Sequence, residues 1–235
     1  MFSCTKKPAN KIRIATAANA QYAISEIAVS FTKETGTATE VIQGSSGKIV
    51  AQIKAGAPFD IFISADMKYP DELYKLGLTK QKPAIYAFGK LVLWTSKDIF
   101  PNLGQLTKEN IVHVAIPNPK TAPYGKAANE FLKQSNLLDS IKHKLVFGES
   151  VAQTTQFIAS GSADIGFTAM SVVLNPQLKH KGHWLVMDSI AYSPIAQGAV
   201  VIKKQNQNTK QAEQFYAYLF SDKAKIILEK YGYSN

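Results

Sequence analysis

Two residue types are almost absent from this sequence. Arginine and cysteine each occur once in 235 residues, as Arg13 and Cys4. A single cysteine cannot form an internal disulfide, so cysteine usage does not reveal the redox compartment. A single arginine leaves the chain without the guanidinium forks that usually read bases and phosphates. The net charge of +10 therefore comes from scattered lysines, and we expect no nucleic-acid partner.

Long hydrophobic runs are also missing. No stretch approaches the roughly 18 uncharged apolar residues of a membrane-spanning helix. Residues 1–10 have the composition of a flexible leader, and within them Phe2-Ser3-Cys4 is similar to the end of a lipoprotein signal, where the cysteine becomes lipidated. An accidental cysteine in a loose terminus explains the same residues equally well. Lipid attachment at Cys4 is thus one of two open interpretations.

Catalytic constellations are missing as well. The sequence has no G-x-S-x-G elbow, no P-loop and no G-x-G-x-x-G turn. His180 and His183 lie three residues apart without a second ligand pair, which favours a surface loop over a metal site. His113 alternates within a predicted strand and is interpreted as structural, while Asp60 and Asp66 at the ends of another strand are interpreted as capping or hinge residues. We therefore expect a protein that is not an enzyme.

Strand and helix patterns alternate along the chain, which predicts an α/β fold with doubly wound sheets. Apolar residues at helical or alternating spacing, punctuated by glycine, mark the elements. Strands are predicted at 11–16, 37–43, 59–65, 90–96, 111–118, 144–147, 165–168 and 195–203, and helices at 20–33, 48–55, 124–134, 151–159, 209–220 and 222–230. Two similar halves in one chain indicate two lobes with a ligand cleft between them.

Four strand-to-helix turns concentrate hydrogen-bond donors. They lie at 16–20, 44–47, 122–125 and 148–151. The N-terminus of a helix exposes unpaired N–H groups with a partial positive charge, so it binds anions without a cationic side chain. Asn19, Ser45 and Ser46 add side-chain donors, although Asn19, Ser46 and Ser150 are also ordinary helix caps. Four such turns together favour an anion site.

Four segments carry a resemblance to a known family. They are GSSGKIVAQIKAGAPFDIFISAD, KLVLWTS, NPKTAPYGKAA and ESVAQTTQFIASGSADIGF. They resemble the periplasmic molybdate-binding proteins of ABC importers, over residues 11–233. The resemblance implies the two-lobed type II periplasmic-binding-protein fold, in which each lobe is a doubly wound mixed sheet flanked by helices. Lobe one is expected to combine residues 11–87 and 194–235, and lobe two to span 88–193.

The resemblance also implies a function and a ligand set. The function is high-affinity binding of molybdate, with tungstate as a second ligand, and delivery to a membrane permease by a periplasmic or membrane-anchored monomer. The implied ligand residues are Ala18, Asn19, Ser46, Tyr124 and Val151, with Ser45 as an additional candidate. Molybdenum is bound only as its oxyanion, without direct metal ligands, and no cofactor is expected.

The chain departs from the family pattern at two places. Many members have a serine where this chain has Asn19, and some supply a tyrosine near Ala169. The chain is similar instead to a subgroup with asparagine in the first ligand turn, in which a threonine occupies the position of Ala18. One hydroxyl contact of that subgroup is therefore missing here.

Other ligands and functions remain open at this stage. Sulfate differs from molybdate mainly in size. Phosphate retains a proton at neutral pH and favours a site with an acceptor, and an amino acid favours an arginine fork. An anion-processing enzyme could use the same cleft. A sensor domain of a regulator is disfavoured because no helix-turn-helix pattern accompanies the lobes.

Overall fold

The structure is a computed structural model that describes residues 11–203 and 209–234. Within these residues the chain forms two five-stranded sheets flanked by helices. The strands are β1 Ile12–Ala17, β2 Thr39–Gly44, β3 Ile61–Ile63, β4 Ala84–Gly89, β5 Leu91–Thr95, β6 Val114–Pro117, β7 Leu145–Gly148, β8 Ile165–Ala169, β9 His183–Val186 and β10 Ile195–Val201. The helices are α1 Gln21–Thr35, α2 Ser46–Lys54, α3 Lys68–Lys75, α4 Pro123–Gln134, α5 Leu138–Ile141, α6 Val151–Ala159, α7 Met170–Val173, α8 Thr209–Leu219 and α9 Asp222–Lys230.

The two sheets share one pattern of parallel and antiparallel pairing. The first has the strand order β2-β1-β3-β10-β4, and the second has the order β7-β6-β8-β5-β9. In the first sheet β1 runs parallel to β2 and β3, and in the second β6 runs parallel to β7 and β8. The late strand β10 and the crossing strand β5 pair antiparallel with their neighbours. The predicted fold of two mixed sheets flanked by helices is confirmed.

The chain passes between the two sheets twice. Strand β4 ends at Gly89 and β5 begins at Leu91, so the first connection consists of Lys90 alone. The chain returns to the first sheet at Ile195, where β10 begins. The backbone N–H groups of Phe88 and Ser234 each donate to the carbonyl of the other, which ties the end of the described chain to this crossing. Because β4 continues to Gly89, the first sheet extends two residues beyond the expected lobe limit at 87, and the lobe boundaries stay predictions.

Separate cores stabilise the two sheets. In the first lobe α1 presents Ile24, Ile27 and Phe31 to the sheet and to the C-terminal helices, and the rings of Phe31 and Phe215 meet edge to face at 5.1 Å. In the second lobe the fully buried Trp94 and Phe167 belong to clusters on opposite faces of the sheet. Burying side chains of this size contributes about 1.5–3 kcal/mol each, so each lobe has a substantial core of its own.

Several predictions of local structure were wrong. Helix α3 was not predicted, and Pro70 is compatible with it because its position in the first helical turn leaves no intrahelical hydrogen bond to lose. Strands β4 and β9 were missed, and His183 begins β9 instead of lying in a loop, with its Nε2 atom 3.0 Å from a carboxylate oxygen of Asp98. His113 is exposed and precedes β6.

The proposals on the N-terminus fall outside the part of the chain that the structure describes. These are the flexible leader at residues 1–10 and the lipidation of Cys4. In the described residues no helix has both the length and the hydropathy needed to cross a bilayer.

The packing of α4 against β6 gives a test of the fold. A Cβ atom on Gly125 would lie 2.1 Å from the carbonyl oxygen of Pro117, an atom of the backbone that cannot move aside. We expect Gly125→Ala to lower the free energy of unfolding by about 1–3 kcal/mol, measured by urea denaturation without ligand. Gly104→Ala is the matched control, because its Cβ would meet no atom closer than 3.4 Å. Equal stability of the two variants would contradict this packing.

Candidate functional site

A small cavity lies between the two lobes, at the edge where several strands end. The space that the centre of a water-sized sphere can occupy in it is about 10 Å³, roughly what one water molecule needs. The space therefore suits a small ion and excludes larger metabolites. The lining residues are Ala17, Ala18, Asn19, Gly44, Ser45, Ser46, Ala65, Ala122, Pro123, Tyr124 and Val151.

The structure brings all six candidate residues of the sequence analysis to this cavity. Ala18 and Asn19 form the short 3₁₀ turn that joins β1 to α1. Ser45 and Ser46 lie where β2 gives way to α2. The other two are the second residue of α4, Tyr124, and the first residue of α6, Val151. Two turns come from each lobe.

Each turn directs the start of a helix at the cavity. The first N–H groups of a helix have no acceptor within that helix, which applies here to Ser46, Tyr124 and Val151. Among the described residues, the side chains preceding these helices supply a cap only at α6, where the Ser150 hydroxyl accepts from the Gln153 N–H at 3.3 Å. Backbone donors therefore stay available, and the helix dipoles add partial positive charge.

Two serine hydroxyls add to these backbone donors. The Ser46 Oγ accepts a hydrogen bond from the Ala65 N–H at 3.1 Å, at the end of β3. That contact uses a lone pair of the hydroxyl and leaves its proton available. The Ser45 Oγ is buried and has no hydrogen-bond partner among the described residues. A buried hydroxyl without a partner is costly, so both serines are suited to donate to a bound acceptor.

The side chain of Asn19 does not serve the cavity as a donor. Its Nδ2 atom donates to Gln197 Oε1 and to the Tyr233 hydroxyl, each at 2.8 Å, which uses both amide protons. Its backbone carbonyl accepts from the Ser171 hydroxyl at 2.7 Å and from Tyr233 at 3.1 Å. The expectation that the Asn19 side chain adds a donor was therefore wrong: its amide protons are used elsewhere, and its Oδ1 atom is buried without a partner among the described residues.

The residues that fix Asn19 were missed by the sequence analysis. Gln197, Ser171 and Tyr233 lie 178, 152 and 214 positions away from Asn19 along the chain. No local spacing or motif marks them, because the contacts arise only when β10, α7 and the C-terminus meet beneath the first turn.

Tyr124 contributes a neutral side chain that reaches the crossing between the lobes. Burial raises the pKa of its phenol well above the ordinary value, so the group carries no charge at neutral pH. A Cβ atom on Gly89 would lie 2.0 Å from the Tyr124 hydroxyl oxygen, so only a glycine at this end of β4 leaves room for the phenol. The ring thereby places the start of α4 against the end of β4.

The cavity contains donors but no charged side chains. None of the described residues that line it is ionisable except Tyr124, which stays neutral. No group of three or more His, Cys, Asp or Glu side chains in residues 11–203 and 209–234 could hold a bare metal ion. Ala169 is buried at the end of β8 and outside the lining. The arrangement is suited to a fully ionised anion that only accepts hydrogen bonds.

Comparisons with known proteins extend these observations. Residues 12–234 match the family model for bacterial extracellular solute-binding proteins. The chain is 38% identical to the molybdate-binding protein ModA of Azotobacter vinelandii, covering 99% of this chain and 93% of that protein. It is 36% identical to the molybdate-binding protein ModA of Rhodobacter capsulatus, covering 96% and 88%.

A solved structure shows the same architecture. The periplasmic molybdate-binding protein of Azotobacter vinelandii superposes with a TM-score of 0.89 at 37% identity, covering 95% of this chain and 99% of that chain. These relatives are named as binding proteins. Together with the family match over nearly the whole chain, they establish that this chain belongs to the bacterial extracellular solute-binding proteins.

Proposed function

We propose that this chain captures molybdate, and also tungstate, in the cavity between its lobes and delivers it to the permease of an ABC importer. The observation that carries the proposal is the small, uncharged cavity at which helices from both lobes begin. The relatives are molybdate-binding proteins, which supports the choice of ion. The superposed structure is a periplasmic protein, which supports action outside the inner membrane. The proposal includes action as a monomer.

The proposed ligand residues act almost entirely through the backbone. Ala18, Asn19, Tyr124 and Val151 donate N–H groups to the oxygens of the ion. Ser46 donates both its N–H and its hydroxyl, and the Ser45 hydroxyl is a further donor. Ala18 has no hydroxyl to offer, so the first turn contributes fewer side-chain donors than in the related subgroup.

Protonation distinguishes the candidate anions at such a site. Molybdate, tungstate and sulfate are dianions at neutral pH and only accept hydrogen bonds, whereas phosphate retains a proton that needs an acceptor. Among the described residues the lining offers that proton no carboxylate, only neutral oxygens such as the unpartnered Asn19 Oδ1, which are weaker acceptors than an ionised group. Sulfate matches in charge, so the site must reject it by size.

The proposed action is capture and release without chemistry. Apart from Tyr124, whose raised pKa keeps the phenol neutral, no acid or base is among the described lining residues, and general acid–base catalysis needs a group whose pKa lies near the working pH. An anion-processing enzyme would therefore lack its proton-transfer groups here.

Ligand choice can be tested by thermal unfolding. A ligand that binds only the folded state stabilises it by mass action, by about 2.7 kcal/mol at 100 times its Kd. For a chain of this size we expect molybdate and tungstate to raise Tm by roughly 5–10 °C at that concentration. Sulfate should raise it far less at the same concentration. Stronger protection by phosphate or by an amino acid would show that the assignment is wrong.

The role of Ser46 can be tested by separating affinity from stability. A hydrogen bond to a charged acceptor contributes about 1.5–3 kcal/mol, so Ser46→Ala should weaken molybdate binding by roughly 10- to 100-fold in calorimetric titration. Ser221→Ala is the matched control, because its hydroxyl caps α9 by accepting from the Ala224 N–H, in a helix that supplies no lining residue. That control should lose about 1 kcal/mol of stability and keep its affinity. A destabilised Ser46→Ala variant with unchanged affinity would place the anion elsewhere.

A further inference from the structure

A second set of contacts joins the lobes at the mouth of the cleft, outside the residues that line the cavity. The Gly47 N–H, in the first turn of α2, donates to the Thr121 carbonyl at 3.2 Å. The Tyr69 hydroxyl, on α3, lies 3.4 Å and 3.5 Å from the carbonyls of Lys120 and Thr121. The Lys48 ammonium pairs with the Glu149 carboxylate. Each contact joins a residue before β4 to one between β5 and β9, so each links the two sheets.

These contacts lie farther from the crossing between the lobes than the hydrogen-bond network beneath the cavity. Asn19, Ser171, Gln197 and Tyr233 lie near the crossing at Lys90, where Met170 donates its N–H to the Lys90 carbonyl. The contacts of the mouth lie at the starts of α2 and α4, away from that crossing. A rotation of the lobes about the crossing therefore separates the partners at the mouth first.

We propose that Gly47, Tyr69 and Thr121, together with the Lys48–Glu149 ion pair, form a clasp that closes after the anion has entered and sets its rate of release. The clasp rests on the proposed function, because it acts on the bound ion. Its members are positioning residues, since they hold the lobes together and do not line the cavity. The contacts form after encounter, so they affect dissociation more than association.

Gly47 is suited to this role because it has no side chain. A Cβ atom here would lie 2.8 Å from the Tyr69 hydroxyl oxygen and 3.2 Å from the Thr121 carbonyl oxygen. Any larger residue would displace the Tyr69 hydroxyl from the carbonyls or hold α2 away from the opposite lobe. Burial raises the pKa of the Tyr69 phenol, so the hydroxyl remains protonated and able to donate at neutral pH.

The ion pair also neutralises a negative charge at the mouth of the cleft. Glu149 lies two residues before Val151, so its carboxylate is close in the sequence to the start of α6. An unpaired carboxylate there would repel a dianion bound in the cavity. Pairing with Lys48 from the other lobe neutralises that charge only when the cleft is closed, which favours the closed state.

The first test uses Tyr69→Phe, which removes only the hydroxyl. Loss of one neutral hydrogen bond, long in this case, should speed the release of radiolabelled molybdate, chased with excess unlabelled molybdate, by about two- to fivefold. The association rate and the Tm without ligand should stay near those of the parent chain. Tyr74→Phe on the same helix is the matched control, because Tyr74 is about half exposed and should leave release unchanged.

The second test uses Gly47→Ala, for which the stability without ligand and the rate of molybdate release should respond differently. Alanine favours a helix over glycine, so the variant should be as stable as the parent chain, or more stable, without ligand. Displacement of the Tyr69 hydroxyl, together with the tight contact to the Thr121 carbonyl, should nevertheless speed release by about tenfold. A variant with raised stability and unchanged release would count against the clasp.

The third test is a double-mutant cycle with Lys48→Met and Glu149→Gln. Exposed ion pairs couple weakly, so we expect a coupling of about two- to fivefold in the release rate, reduced by added sodium chloride. Lys54→Met is the control on the same helix, because Lys54 pairs with Glu72 within one lobe at 3.1 Å. Additive effects of Lys48→Met and Glu149→Gln would remove the ion pair from the proposal.

The outcomes separate the two proposals. A parent chain that retains no molybdate would overturn the proposed function and the clasp with it. A parent chain that retains molybdate, with Tyr69→Phe and Gly47→Ala both releasing it at the parental rate, would overturn the clasp alone.

Discussion

A dianion that leaves water loses a shell of hydrogen bonds, and a protein that buries it must replace them with donors held in position. This chain has a cavity lined by helix N-termini and two serine hydroxyls, and none of the described lining residues has a cationic side chain. Helix starts supply such donors because their first N–H groups have no acceptor of their own. The two mixed sheets, the crossings between them and the small residues of the lining all serve to bring four of these turns to one point.

Rigidity of the donor turns matters as much as their number. Asn19 makes four hydrogen bonds to residues beneath the cavity, through both its amide protons and its carbonyl oxygen. Those bonds hold the first turn through contacts within the protein, so less conformational freedom is lost on binding. The chain lacks a hydroxyl at Ala18, and the network around Asn19 offers a physical compensation: fewer donors, but donors already in place.

The sequence was sufficient for the alternation of elements and for the positions of the donor turns. Periodicity identified the strands and helices that carry the site, and the six candidate residues at the turns meet at one cavity. It failed where the local pattern was ambiguous, as for α3 with Pro70 in its first turn. It also failed for the direction of the Asn19 side chain, because Gln197, Ser171 and Tyr233 reach it only through tertiary contacts. Partners that are distant along the chain cannot be recognised from the spacing of residues in the sequence, whereas the starts of helices can.

An uncharged site also makes release practicable. A buried lysine or arginine beside a dianion would add strong attraction in a medium of low polarity, and the ion would then leave slowly. In this chain no described lining residue is a lysine or an arginine, while the net charge of +10 attracts anions over a distance. In the proposed function the ion therefore meets neutral groups, and its retention depends on how firmly the lobes stay closed around it. We therefore propose that the contacts between the lobes control release, because a permease can open them without competing for the ion itself.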